Sequence, residues 1–132
     1  GTFSNCEIHN NTLQGILACR DAKGTFQNCH VHDNKQNGLH IYEKAAIVVK
    51  GCKIRNNKTE GVNYPGVVVS NQAAPQISNC EISGHLSYGI WINDNARGSY
   101  TSCTIHGNSI NGIKTEDPWN RGPQISDCPI CD

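Results

Sequence analysis

The stretch Cys29 to Ile41, CHVHDNKQNGLHI, gathers one cysteine, three histidines and a carboxylate within thirteen positions. Thiolate, imidazole and carboxylate are ligands of zinc, which takes four groups around one point. A second candidate stands near the C-terminal end, where Cys128 and Cys131 form a CPIC pair, a spacing found in zinc and thiol-redox sites. The third is spread over Trp91, Asn93, Asp94, Glu116, Asp117, Trp119 and Arg121, which combine aromatic rings, carboxylates and a guanidinium. Rings that stack, with carboxylates that bond hydroxyls or move protons, suit saccharides. Which of these groups meet depends on the elements that carry them.

Eleven basic and eleven acidic residues leave the 132-residue chain without net charge. It has no field for gripping phosphate backbones, so no nucleic-acid partner is expected. No apolar run approaches the roughly 18 residues of a membrane helix, and no membrane partner is expected either. The length fits one domain, residues 1–132. Eight cysteines in so short a chain read first as a secreted disulfide framework. Their spacing decides otherwise.

Six of them fall at 6, 29, 52, 80, 103 and 128, at intervals of 23, 23, 28, 23 and 25. A glycine follows nine residues after each of the first five, at Gly15, Gly38, Gly61, Gly89 and Gly112. Gly15, Gly38, Gly66 and Gly89 each stand fourteen residues before the next cysteine. The third unit therefore carries five extra residues around GVNYPG, and the fifth carries two around EDPWNRGP. Self-similarity at such a period marks a solenoid.

Each unit holds three short stretches of period-two alternation, too short for an amphipathic helix. The first follows the repeat glycine, as GILA, GLHI, GVVV, GIWI and GIKT. The second ends at Phe3, Phe26, Val49, Ile77, Tyr100 and Ile125. The third begins at the cysteine and includes Ile8, Val31, Ile54, Ile82, Ile105 and Ile130. Three strands per turn of about 23 residues describe an all-β fold: a single-stranded parallel β-helix of about five coils, each strand pairing one turn along at about 4.8 Å.

Between the second and third strands a tight bend carries Asn5, Asn28, Gly51, Asn79, Ser102 or Asp127. A left-handed backbone is expected there, which Asn, Gly and Asp tolerate best. Five residues after each cysteine sit Asn11, Asn34, Asn57, His85 and Asn108. Stacked at one inward bend, their side chains are expected to bond one another and the backbone.

The units NCEIHNN…GILA, NCHVHDN…GLHI, GCKIRNN…GVVV, NCEISGH…GIWI and SCTIHGN…GIKT carry a family likeness over nearly the whole chain. The chain resembles the right-handed β-helix proteins of the pectin-lyase-like superfamily, nearest to their NosD and carbohydrate-binding/sugar-hydrolase (CASH) type repeats. The resemblance implies a right-handed coil. It leaves function open, because the superfamily includes lyases, hydrolases, epimerases and non-catalytic binding modules. The chain departs from the catalytic members in lacking Gly-His-Gly, paired Asp-Asp and Asp-Pro-His-Asp.

On such a coil the opening stretch comes apart. Cys29, Val31 and Ile41 point inward, His30 and His32 point outward from the third strand, and His40 points outward from the first. Neither a metal nor a cofactor is expected. The six cysteines form an inward file of inert free thiols, while Cys19 and Cys131 face outward and apart. Free thiols favour a reducing compartment, and a buried file is also compatible with secretion, so localisation stays open. Of the two glycosylation sequons, Asn57 falls in the inward stack and only Asn10 has room for a glycan.

The outward face of the first strands is the most informative surface. It carries Leu17, His40, Val68, Trp91 and Lys114, then Cys19, Tyr42, Ser70, Asn93 and Glu116, then Arg20, Glu43, Asn71, Asp94 and Asp117. Apolar and aromatic residues on an outward sheet face mark an interaction surface. The expected function is non-catalytic recognition or scaffolding, with a polysaccharide, oligosaccharide or protein held by His40, Tyr42, Trp91, Asn93, Asp94, Glu116 and Trp119. The alternative is a polysaccharide lyase or glycoside hydrolase acting on an acidic polysaccharide. It would use Asp94 and Asp117, roughly 5 to 8 Å apart, within the range of paired catalytic carboxylates, with Glu116 and Arg121 assisting. The end coils leave strands unpaired and uncapped, so a longer solenoid, flanking capping domains or end-to-end association is expected.

Overall fold

The computed structural model describes residues 1–116 and 122–131. Strands of two or three residues form three parallel sheets, and the described residues contain no helix. The first sheet has five strands: Ile16–Ala18, Leu39–Ile41, Val67–Val69, Ile90–Ile92 and Ile113–Thr115. The second has six: Thr2–Ser4, Thr25–Gln27, Val48–Lys50, Gln76–Ser78, Ser99–Thr101 and Gln124–Ser126. The third, also six, holds Glu7–His9, His30–His32, Lys53–Arg55, Glu81–Ser83, Thr104–His106 and Ile130–Cys131. Successive members of each sheet are neighbours, so the chain winds as a parallel β-helix.

The register is the one the repeat requires. Ile8, Val31, Ile54, Ile82, Ile105 and Ile130 lie in one file, and Leu39 pairs with Val67 across the long third unit. The five extra residues are absorbed in a loop. There Thr59 and Val62 form a small antiparallel bridge, Thr59 Oγ1 donates to the Lys35 carbonyl, and Asn37 Nδ2 donates to Pro65 O at 2.6 Å.

Period-two alternation puts every second side chain inside. Val31, Leu39, Ile41, Ile54, Val67, Ile82, Ile90 and Ile105 are fully buried, each worth about 1.5–3 kcal/mol of apolar transfer. The inward file of the second sheet runs from Val49 and Ile77 to Tyr100, whose hydroxyl donates to Arg97 O at 2.8 Å. Cys29, Cys52, Cys80 and Cys103 are buried and free, their thiols directed at carbonyls such as Phe3 O, 3.5 Å from Cys29 Sγ. At the ends the stacking stops, leaving Phe3 and Ile130 about half exposed, at 53% and 49%.

The bends follow the residues that tolerate them. Asn5, Asn28, Gly51, Asn79, Ser102 and Asp127 all have φ between 52° and 65°. The stack of amides is continuous: Asn11 Nδ2 donates to Asn34 Oδ1 and Asn34 Nδ2 to Asn57 Oδ1, both at 2.8 Å. His85 takes the next place, and its backbone N–H donates to Asn108 Oδ1 at 3.1 Å. The repeat glycines press against this stack. A Cβ on Gly38 would stand 2.5 Å from Ile54 Cγ2 and 2.8 Å from Asn57 Nδ2.

A further corner lies beyond the first sheet. Arg20–Asp21, Glu43–Lys44, Asn71–Gln72 and Asp94–Asn95 each have two successive positive φ values, from 49° to 64°. Each pair is spanned by a backbone bond such as Ala45 N to Tyr42 O at 3.2 Å or Ala96 N to Asn93 O at 3.0 Å, the pattern of a type I′ turn. Bonds between coils, such as Lys44 N to Asn71 O at 3.1 Å, hold side chains that rarely adopt this backbone.

Candidate binding face

Leu17, His40, Val68, Trp91 and Lys114 stand in register on the outside of the first sheet. Leu17 is 54% exposed, while His40, Val68 and Trp91 are half-buried. His40 lies against Tyr42 with ring centroids 4.8 Å apart and planes tilted 35°, and burial holds its imidazole below the ordinary histidine range. The Cys19 thiol is the main neighbour that pushes the Tyr42 phenol up. One file of aromatic and aliphatic groups is therefore flanked by a second of more polar ones.

Trp91 has a neighbour the sequence reading did not include. Tyr88, one residue before the repeat glycine, places its ring 6.3 Å from Trp91 at 49°. The Trp91 Nε1 atom is shielded and bonds no partner among the described residues. Asn93 is half-buried beside it, and Asp94 and Glu116 are exposed. Asp117, Trp119 and Arg121 lie outside the described residues. The structure therefore brings His40, Tyr42, Trp91, Asn93 and Asp94 to one side of the coil.

The turns beyond this face add a groove that was not expected. A cavity of 530 Å³ is lined by Lys44, Gln72, Asn95 and Arg97. Three of these occupy the second left-handed position of successive turns, so the backbone that strains them also aims them along one line. On the coil before, Arg20 Nε is 3.7 Å from Glu43 Oε2. Lysine and glutamine do not signal a left-handed turn, and only the repeat phase could have shown it.

The opening stretch divides as its phase implies. His40 lies in the first sheet, whereas His30 and His32 lie in the third. One coil before them, Glu7 pairs in register with His30. Its Oε1 is 3.5 Å from His30 Nδ1 and its Oε2 is 3.2 Å from His32 Nε2. The bond to His32 holds the Glu7 carboxyl below the usual carboxylate range, and Asp33 at 2.6 Å is the main group raising His32. Glu7 was overlooked because it lies outside the thirteen residues, although it is 23 positions from His30.

Fold and face together define a parallel β-helix with one side dressed in aromatic and amide groups. The chain matches the family described as right handed beta helix region over residues 1–131, and it belongs to that family. No curated protein and no solved structure matches it.

Proposed function

We propose that this β-helix is a non-catalytic recognition segment that binds a carbohydrate chain along the outward face of its first sheet. The observation that carries this reading is the set of paired rings, His40 on Tyr42 and Tyr88 beside Trp91, on a sheet face whose outward positions would otherwise be polar. Rings present flat apolar surface to the C–H faces of sugars. Asn93, Asp94 and Glu116 beside them offer hydrogen-bond partners for hydroxyls, and Trp119 falls at the same end of the sequence repeat. Lys44 and Arg97 in the adjoining groove suit a chain that carries carboxylates.

Catalysis is the rival reading, with Asp94 and Asp117 as the acid–base pair and Glu116 and Arg121 in support. It asks for two carboxylates held around a scissile bond, while Asp94 stands exposed on a left-handed turn. The test is a glycan array with the intact chain and Trp91→Ala, together with product analysis. Binding to a saccharide, lost at least tenfold in Trp91→Ala and without cleavage, supports recognition. Release of unsaturated or reducing ends, abolished by Asp94→Asn or Asp117→Asn, replaces it with the enzyme. Capture of a protein through the same face, with no glycan bound, leaves a scaffold.

A further inference from the structure

We propose that Glu7, His30 and His32 form a zinc site on the outside of the third sheet, away from the aromatic face of the first. Their three ligand atoms lie within 4.8 Å of one another. Zinc with bonds of about 2.05 Å sets its ligands on a tetrahedron whose edge is about 3.3 Å. The Glu7 carboxylate already meets both imidazoles at 3.5 and 3.2 Å, and the two rings stand 4.1 Å apart. The fourth position faces solvent, where a water or a ligand group would complete the shell.

The neighbouring bend selects the nitrogen that binds. Asp33, at φ 54°, sits in a file of left-handed residues with Asn10, Asn56, Gly84 and Gly107. Its carboxylate accepts from His32 Nδ1 at 2.6 Å, which fixes that proton and leaves Nε2, directed at Glu7, as the nitrogen that gives up its proton to the metal. A carboxylate behind a ligating histidine fixes its tautomer and raises its basicity. One coil earlier the same geometry has a different partner. Asn10 Nδ2 donates to His9 Nδ1 at 2.8 Å, so this ring has an amide behind it in place of a carboxylate. On the coil after, Arg55 is drawn away to Glu81 at 2.8 Å, while Lys53 stays exposed beside His30.

The intact chain is titrated with Co(II), which Zn(II) then displaces. One equivalent is expected, with a visible absorption band and no thiolate-to-metal charge transfer. His30 and His32 ring protons broaden, while those of His40 and His85 do not. Glu7→Gln weakens Zn(II) binding at least tenfold. Asp33→Asn keeps the bend, since asparagine serves at Asn10 and Asn56, and weakens binding by about tenfold, as outer-shell changes do. A thiolate band, broadening spread over all histidines, or unchanged affinity in Glu7→Gln would each overturn the site. The resonances of the unmodified chain decide the matter even where a variant fails to fold.

Discussion

His85 Nδ1 accepts the backbone N–H of Asn57 at 3.3 Å. Its other nitrogen donates to Ile54 O at 3.0 Å, so an imidazole does the work of a carboxamide in the internal stack. The residue is 1% exposed, and burial holds its pKa below the ordinary 6.5. A base whose folded pKa is depressed is bound neutral by the fold, and the unfolded chain takes the proton first. Stability linked to His85 is therefore complete above pH 6.5 and falls as pH drops from 6.5 through the lower folded pKa. In that window the slope is about 1.4 kcal/mol per pH unit. Urea melts between pH 7.5 and 4.5 check this, with His85→Asn predicted to lose that part of the slope. An identical slope in both proteins contradicts the assignment.

The repeat glycines allow a second prediction. At Gly38 a methyl group would collide with Ile54 and Asn57, whereas at Gly61 it would meet no atom within 4 Å among the described residues beyond its chain neighbours. Gly38→Ala is expected to destabilise by about 2–3 kcal/mol through overpacking. Gly61→Ala, which has only its φ of 84° to oppose it, should cost about 1 kcal/mol. Equal midpoints in chemical denaturation would show that close approach is not why glycine recurs.

Thiol chemistry separates inside from outside. Burial raises the Cys29 thiol, and Cys52, Cys80 and Cys103 are closed off from solvent, at 2% exposure or less. Cys19 is half-exposed beside Tyr42. Alkylation followed by intact mass should modify Cys19 in the native protein and leave Cys29, Cys52, Cys80 and Cys103 untouched until denaturant is added. Even labelling of all of them in native buffer argues against the buried file.

Much of this was written in the sequence because parallel stacking places equivalent residues over one another. Cys29 over Cys6, Asn57 over Asn34 and Trp91 over Val68 follow from phase alone. The sequence reading was weaker where unlike residues meet. Glu7 meets His30 and His32 only when two adjacent outward files are read together. Ser83 is on an outward file yet is buried, between Arg55 and His106 in register. The left-handed pair at Glu43–Lys44, and Arg20 in the pair before it, use residues with no turn preference, because bonds between coils hold them. Tyr88 was missed because its partner, Trp91, is reached across the glycine rather than along a file.

The central claim is that the first-sheet face recognises a saccharide. Two-dimensional NMR of the chain titrated with neutral and uronate oligosaccharides tests it most directly, read at the Trp91 Nε1–H and the ring signals of His40, Tyr42 and Tyr88. Saturable shifts are expected at these groups and at Asn93 with at least one saccharide, and none at His30 or His106 of the third sheet. Shifts confined to another sheet, or none with any oligosaccharide, contradict it.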